Sequence, residues 1–234
     1  MTSPIQAGLL AKLLELDTPT VGNGLERLAL LDPSAGYTGP DVRALMPDLG
    51  LRVGIAVTAR LDTTSPGVDN PPSLFRDWLR HMLEAARGDA GERLPVFAVM
   101  ESVGPRPRAT VTIGDGMGTH MVLAGAVGFL TNGSIRDIEG VRQAPLACWA
   151  AGLSPLHGRL RWLDVNSPVV VDGMTVRPGD VIHADENGAL VVPPSAVAEV
   201  YEQALLVRQR EQATFARLRE PGFSIEAYVS GQSG

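Results

Sequence analysis

The chain has 234 residues, 44% of them hydrophobic and 20% charged, which is the balance of an ordinary folded protein with room for one sizeable core. A formal net charge of −6 argues against nucleic acid as the main partner, but local arginines can still make a pocket attractive to a small anion. The single cysteine, Cys148 in LACWAAG, excludes an intrachain disulfide and a cysteine-built zinc site, and reads as a small buried apolar residue.

The opening MTSPIQAGLLAKLLEL lacks the basic region and long apolar core of a signal peptide, and no stretch approaches eighteen uninterrupted apolar residues. No membrane contact and a cytoplasmic location are therefore expected. Residues 5–16 are predicted helical, with Leu9, Leu10, Leu13, Leu14 and Leu16 on one face. Asp17-Thr18-Pro19 then supplies a cap and a start for a second helix through Val21, Leu25 and Leu28. GIAVTARL (54–61) predicts a half-buried strand, and TTSPGVDNPP (63–72) a loop. Leu74, Phe75, Trp78, Leu79, Met82 and Leu83 predict an amphipathic helix over 73–87.

PVFAVM (95–100) and residues 108–113 predict two strands, joined by the Pro-punctuated SVGPRPR near the mouth of a site. Further strands are expected at 146–151, 161–165 and 169–171, the last closed by an Asp172-Gly173 hairpin turn. MTVRPGDVIHADENGALVVPP alternates strands and turns. A long helix over about 195–219 closes the chain, with Val197, Val200, Tyr201, Ala204, Val207, Phe215 and Leu218 as its stripe. Glu211 falls on that stripe, where a carboxylate marks fraying, a pairing partner, a subunit interface or an active site. Alternating strands and helices favour one α/β domain over 1–234, with a core over about 15–194.

The organising stretch is GDGMGTHMVLAGAVGFLTNGSIRDIEGVR (114–142). A glycine-rich turn carries Asp115, and a helix follows through Met121, Val122, Ala124 and Ala126. Val127 to Thr131 is a short apolar run, Asn132-Gly133 a turn, and Arg136-Asp137 comes next. Glycines let backbone approach a small anion, and a helix start favours negative charge. An arginine beside an aspartate facing that turn can hold a carboxylate-bearing substrate and a hard cation together. Gly114-x-Gly116-x-Gly118 matches neither a dinucleotide fingerprint nor a phosphate loop.

Asp115, twenty intervening residues, then Arg136-Asp137 preceded by Asn132-Gly133 resembles the RraA-like family and its class II 4-hydroxy-4-methyl-2-oxoglutarate aldolases, which also decarboxylate oxaloacetate. Pro178-Gly179-Asp180, His183-Ala184-Asp185, Asn187-Gly188, Ser154 to Gly158 and the LDTPTVGNGLERL segment extend the resemblance over about 15–220. It implies a swivelling β/β/α fold and a homotrimer, or a dimer of trimers, with sites between subunits.

It also implies roles. Asp137 would be the direct ligand of a magnesium ion, or of manganese or cobalt, with waters filling most other positions. Asp115 would hold a metal-bound water and share in proton transfer. Arg136 would contact the pyruvyl oxygens, and the turn of Gly114, Gly116, Met117 and Gly118 would donate amides to the substrate carboxylate. A carboxylate from the neighbouring subunit would complete the site; Glu211 is the first candidate, with Glu202 and Glu220 behind it.

The histidines at 81, 120, 157 and 183 form no HxH or HxxxH pair, which disfavours a histidine-built metal site. His120 is a candidate substrate contact, His81 a helix-surface residue, and His157 and His183 loop-fixing residues. Lys12, the only lysine, lies on the first helix, which favours a metal-dependent over an imine-forming aldolase. No Gly-x-Ser-x-Gly or Cys-His arrangement supports a covalent hydrolase. The expected function is a metal-dependent carbon–carbon lyase acting on a pyruvyl-containing 2-oxo acid. The alternative is a non-enzymatic regulator, since founding members of the family bind and inhibit a ribonuclease and lack the metal-binding aspartate, which this chain retains as Asp137. Relatives labelled demethylmenaquinone methyltransferases find no support here, because no methyl-donor pattern follows a first strand.

Overall fold

The computed structural model describes residues 5–69 and 73–231, so the last three residues of the TTSPGVDNPP loop lie outside the described residues. The leucine face of the N-terminal segment forms α1 (Ala7–Leu13), which buries Leu10 and Leu13. Asp17 caps α2 (Thr18–Arg27) by accepting from Thr20 N at 2.8 Å, and Pro19 sits in the first turn, where a missing N–H costs nothing. β1 (Arg43–Ala44) and the long β2 (Arg52–Asp62) follow, then α3 (Ser73–Ala85), which buries Trp78 and Met82. The Trp78 indole N–H donates to Val57 O at 3.1 Å, so the buried ring keeps its one polar group satisfied.

β3 (Val96–Val103) leads through a 3-10 turn at Pro107–Ala109 to β4 (Val111–Ile113). Residues 108 and 109, expected in that strand, are held in the turn instead. α4 (Asp115–Leu123) ends at Gly125, whose φ of 109° only glycine adopts freely. Ala126, expected on the helix, therefore opens β5 (Ala126–Thr131). β6 (Ser134–Ile135), α5 (Ile138–Gln143), β7 (Ala147–Ala150), β8 (Gly152–Leu153) and β9 (Arg161–Val165) complete the middle of the chain. β10 (Val169–Val171) and β11 (Met174–Val176) form the expected hairpin, with Asp172 and Gly173 both at positive φ. β12 (Val181–Asp185) and β13 (Gly188–Val192) pair antiparallel, and α6 (Val197–Leu218) and a short α7 (Ile225–Val229) close the fold.

The main sheet has the order β1-β7-β5-β3-β2-β12-β13, with β9 also paired to β2. Its centre, β7-β5-β3-β2, is parallel, and the flanking β1, β9, β12 and β13 are antiparallel to their neighbours. Beside it stands a small parallel sheet, β4-β6-β8. On one face of the main sheet Ala59, Leu61, Met100 and Phe129 pack with Trp78, Met82 and Trp162. On the other, Phe97, Val99, Leu130 and Trp149 pack under the β10–β11 hairpin. A third cluster joins α1, α2 and α6 to β2, β12 and β13 through Leu13, Leu25, Val53, Val192 and Val200.

His183 fastens that third layer. It is fully buried on β12, with Nε2 donating to Leu13 O at 3.0 Å and Nδ1 within 2.9 Å of Thr18 Oγ1. Thr18 N donates to Asp185 Oδ2 at 2.8 Å, so the α1–α2 loop is held by both ends of the His-Ala-Asp segment.

Two expectations about the C-terminus need correction. Phe215 and Leu218, expected on the buried stripe, are 50% and 42% exposed, and burial along α6 stops at Ala204. α7 was not anticipated at all. Five residues carry too little periodicity to be seen, and the Ser224 cap accepting from Ala227 N is its main local signal.

Candidate active site at the ends of β4 and β6

The small sheet brings the two halves of the organising stretch together. β4 and β6 run parallel with Ile113 opposite Ile135, so the residues that follow them, Gly114 and Arg136, leave the sheet side by side. Arg136 N donates to Ile113 O at 3.1 Å, which ties the second strand end to the first. Both chains then turn into helices, α4 and α5, whose starting N–H groups face the same region beyond the carboxyl ends of parallel strands. Ligands characteristically bind at such a place in α/β proteins.

Asp137 is the most unusual residue there. It caps α5 in the left-handed conformation, φ 55° and ψ 42°, and its side chain makes no capping hydrogen bond. An aspartate before a helix ordinarily turns its carboxylate onto the helix N–H groups. Here Oδ2 instead lies 2.9 Å from Arg136 Nε. The approach is close but not aligned as a hydrogen bond, so the buried Nε has no hydrogen-bond partner among the described residues. The rest of both side chains reaches solvent, with 37% exposure for Arg136 and 41% for Asp137. A left-handed, uncapped carboxylate and an incompletely partnered guanidinium are what a binding site needs before its ligand arrives.

Two glycines make room for this arrangement. A Cβ on Gly114 would stand 2.7 Å from Asp137 Oδ2 and 3.3 Å from Arg136 Nε. A Cβ on Gly140, one turn into α5, would stand 2.5 Å from Asp115 Cβ. Asp115 thus packs on the start of α5, with Oδ1 accepting from Gly116 N at 2.7 Å. Gly140 is missing from the sequence reading; its signal is a glycine inside a helix three residues after Asp137.

The other predicted residues divide. Gly118 N donates to Gly114 O at 2.9 Å within α4, so the expectation that this amide serves a substrate carboxylate is corrected: the helix already uses it. Gly116 N is engaged by Asp115, whereas Met117 occupies the third helical position, where an N–H has no intrahelical partner. His120 is exposed, its Nδ1 donating to Gly116 O at 2.7 Å and its ring edge-on to Phe75. Glu211 sits on α6 beside Asn23, Glu26, Arg27, Val207 and Arg210, in a cleft apart from Asp115, Arg136 and Asp137. Glu202 and Glu220 are exposed, on α6 and just beyond it.

Asn132 and Gly133 join β5 to β6, but without positive φ. Asn132 bonds Ser102 N and O through its side chain, and Gly133 leaves room for Thr112 Cγ2, which a Cβ would meet at 2.6 Å. β8, two residues long, places Leu153, Ser154 and Pro155 against Arg136, Asp137 and Ile138 in a shallow depression. Ser154 Oγ donates to Ala109 O at 3.0 Å, one residue past the SVGPRPR connection, and no residue of that connection lines the depression.

Asp137 lines one depression beside α5 and Asp115 another, and no group of three or more metal-ligating side chains occurs among the described residues. That donor set fits magnesium, which keeps most of its waters and takes one or two carboxylates. It does not resemble a dedicated zinc or calcium cage.

The chain matches the family model RraA-like (Aldolase/RraA) over residues 25–191, and it belongs to that family. It is 31% identical over 96 residues to a Hahella chejuensis protein named "Putative 4-hydroxy-4-methyl-2-oxoglutarate aldolase", a match covering 41% of this chain and 58% of that protein. The first curated relatives are matched over only part of their length, from 16% to 59%. Among solved structures, an uncharacterized protein from Pseudomonas syringae pv. tomato superposes with a TM-score of 0.71 at 25% identity, covering 99% of this chain and 97% of that one. Streptomyces coelicolor RraAS2, described as an unusual member of the RNase ES inhibitor RraA protein family, superposes with a TM-score of 0.69 at 24% identity, covering 93% and 99%. The mixed α/β RraA-like fold expected from the sequence is thereby established, and aldolase names among relatives support a lyase at family level. Among the described residues no helix is long and apolar enough to cross a membrane.

Proposed function

We propose that this chain is a divalent-metal-dependent carbon–carbon lyase that cleaves a 2-oxo acid between C3 and C4 and releases pyruvate. The observation that carries the reading is the left-handed, uncapped Asp137 carboxylate beside Arg136, with Gly114 leaving the space that both require. Asp137 would hold magnesium, or manganese or cobalt, directly, and Asp115 through a water. When bound, the ion supplies Lewis-acid polarisation of the 2-oxo group. Arg136 holds the substrate carboxylate and 2-oxo oxygens through its guanidinium and stabilises the negative charge that grows on them.

Cleavage removes the proton of the C4 hydroxyl, breaks the C3–C4 bond and leaves its electron pair on a pyruvate enolate. Asp115 Oδ1 is engaged by Gly116 N, so Oδ2 is the atom that handles the proton and returns it to C3 through water. The same enolate forms when oxaloacetate loses carbon dioxide, which makes decarboxylation an expected side activity. The family resemblance implies a carboxylate from a neighbouring copy in a trimer or a dimer of trimers, and Glu211, which stands apart from this group within one chain, is the proposed candidate.

The test is pyruvate release from oxaloacetate and 4-hydroxy-4-methyl-2-oxoglutarate, with magnesium and with chelator. Metal-dependent turnover that Asp137→Asn lowers by about two orders of magnitude is expected. Turnover that survives both chelation and Asp137→Asn sinks the assignment of the metal and its ligand. No turnover by folded, magnesium-supplemented protein sinks the lyase.

A further inference from the structure

We infer that Asn132, held on Ser102, is a positioning residue of the site: its side-chain amide fixes where β6 starts, and so where Arg136 and Asp137 stand. The activity readout of this role rests on the lyase reading above; its geometry does not. β3 and β5 pair as far as Met100 opposite Thr131, and β3 then runs on to Val103 against β2. At that point the main chain of β5 leaves the main sheet and enters the small one as β6. Ser102, 2% exposed, is left with an N–H and a C=O that β5 no longer pairs.

Asn132 supplies both partners. Its Oδ1 accepts from Ser102 N at 2.7 Å, and its Nδ2 donates to Ser102 O at 2.9 Å. A primary amide carries a donor and an acceptor side by side, so it replaces one peptide of the departed strand. A carboxylate would serve only Ser102 N, and an apolar side chain neither group.

Ser102 also reaches the other strand of the site. Its Oγ donates to Pro107 O at 2.8 Å, in the turn that leads into β4. One residue of β3 thus sets the level of both β6 and β4. From there the two strands stay in step, with Ser134 N donating to Thr110 O at 2.7 Å and Arg136 N to Ile113 O at 3.1 Å. Gly133 lets β6 pass this close, since a Cβ there would meet Ser102 Cβ at 3.0 Å. A slip of one residue would carry Arg136 about 3.3 Å along the strand and onto the opposite face. Every contact of this clamp is made within one chain, so side chains that a neighbouring copy brings to the site add to it without replacing it.

The experiment measures Tm, calorimetric magnesium binding and pyruvate release for Asn132→Ala, Asn132→Asp and Ser102→Ala, with kinetics taken well below each Tm. Asn132→Ala should lower Tm by about 5–15 °C, because two buried backbone groups lose their partners. The folded variant should also bind magnesium about 10-fold more weakly and lose about 10- to 100-fold in kcat. A lowered Tm with wild-type kcat and magnesium affinity is what a purely structural residue gives, and it overturns the inference. Asn132→Asp keeps the shape and removes the donor, so at pH 7.5 its kcat should fall as in the alanine variant. Toward pH 5 the introduced carboxyl takes up a proton and donates to Ser102 O, and kcat relative to wild type at the same pH should recover several-fold. A ratio that does not change with pH overturns the inference too. If neither Asn132 variant folds, Ser102→Ala decides: it keeps the amide pair, loses the Pro107 link and should lower kcat by about 2- to 10-fold, and an unchanged kcat overturns the inference. Wild-type protein that binds magnesium without releasing pyruvate overturns the lyase alone, and magnesium binding by the variants then decides the role of Asn132. Wild-type protein that binds no magnesium overturns both.

Discussion

Gly114→Ala separates a site requirement from a folding requirement at one atom. Gly114 has extended backbone, φ −127° and ψ −170°, which any residue adopts, so alanine there is not strained. At a helix N-cap, exchange of glycine for alanine costs a few tenths of a kcal/mol up to about 1. The added Cβ would nevertheless lie 2.7 Å from Asp137 Oδ2. Ordinary carbon–oxygen contacts begin near 3.3 Å, so the carboxylate must retreat by about 0.6 Å or rotate off its preferred angle, at about 0.5–1.5 kcal/mol. Asp137 is 41% exposed and can make that move into solvent, so the global cost stays near 1 kcal/mol and Tm falls by about 2–4 °C. Misplacement of a ligand and of its Arg136 neighbour on that scale lowers turnover by about 10- to 100-fold. Pyruvate release and thermal unfolding of the same preparation check both halves. Wild-type turnover in the alanine variant would refute the claim that this contact sets the site, and a collapse of Tm would show that Gly114 holds the fold instead.

The backbone of Asp137 makes Asn the informative replacement and Ala a misleading one. Asn tolerates the left-handed conformation, whereas Ala there adds about 1–2 kcal/mol of instability. Asp137→Asn should therefore unfold near the wild-type temperature while calorimetric magnesium binding and turnover fall by about two orders of magnitude; unchanged binding would remove Asp137 as the ligand. At the other end of the fold, burial holds His183 below its ordinary value of 6.5, outweighing the Leu13 and Leu16 carbonyls and the charges of Asp185 and Asp17 that favour its protonation. The unfolded chain gains a proton below about pH 6.5 that the native state resists, so stability is full above that pH and declines as pH falls toward the folded value. Urea midpoints should drop between about pH 7.5 and 5.5, less so in His183→Gln; parallel declines in the two proteins would assign the pH dependence elsewhere.

The legible part of this protein is where local chemistry and tertiary structure coincide. Asp17 and Pro19 start α2 as their types dictate, and the Trp78–Met82 spacing forms the buried face of α3. Asp172-Gly173 turns the hairpin because both accept positive φ. Within the organising stretch, the order of strand, glycine, helix, strand, Arg-Asp was enough to expect Asp115, Arg136 and Asp137 near one another. The structure places them at adjacent strand ends. The details of how they meet were not legible, since they depend on register. Apolar content alone does not set Ile113 opposite Ile135, and a one-residue slip would send Arg136 to the other face.

The same limit explains the misreadings. A glycine-rich turn suggests free amides, but only the helix geometry shows that Gly118 N is already bonded to Gly114 O. Periodicity along α6 marks Phe215 and Leu218 as an apolar side without saying what covers it, and within one chain nothing among the described residues buries it. Leu153 shows the converse. It belongs to a two-residue strand that no pattern signals, yet that strand's pairing with β6 brings an exposed leucine beside Arg136 and Asp137. The motif thus bears on where Asp115, Arg136 and Asp137 stand, while their neighbour Leu153 arrives through a short tertiary pairing that spacing along the chain does not encode.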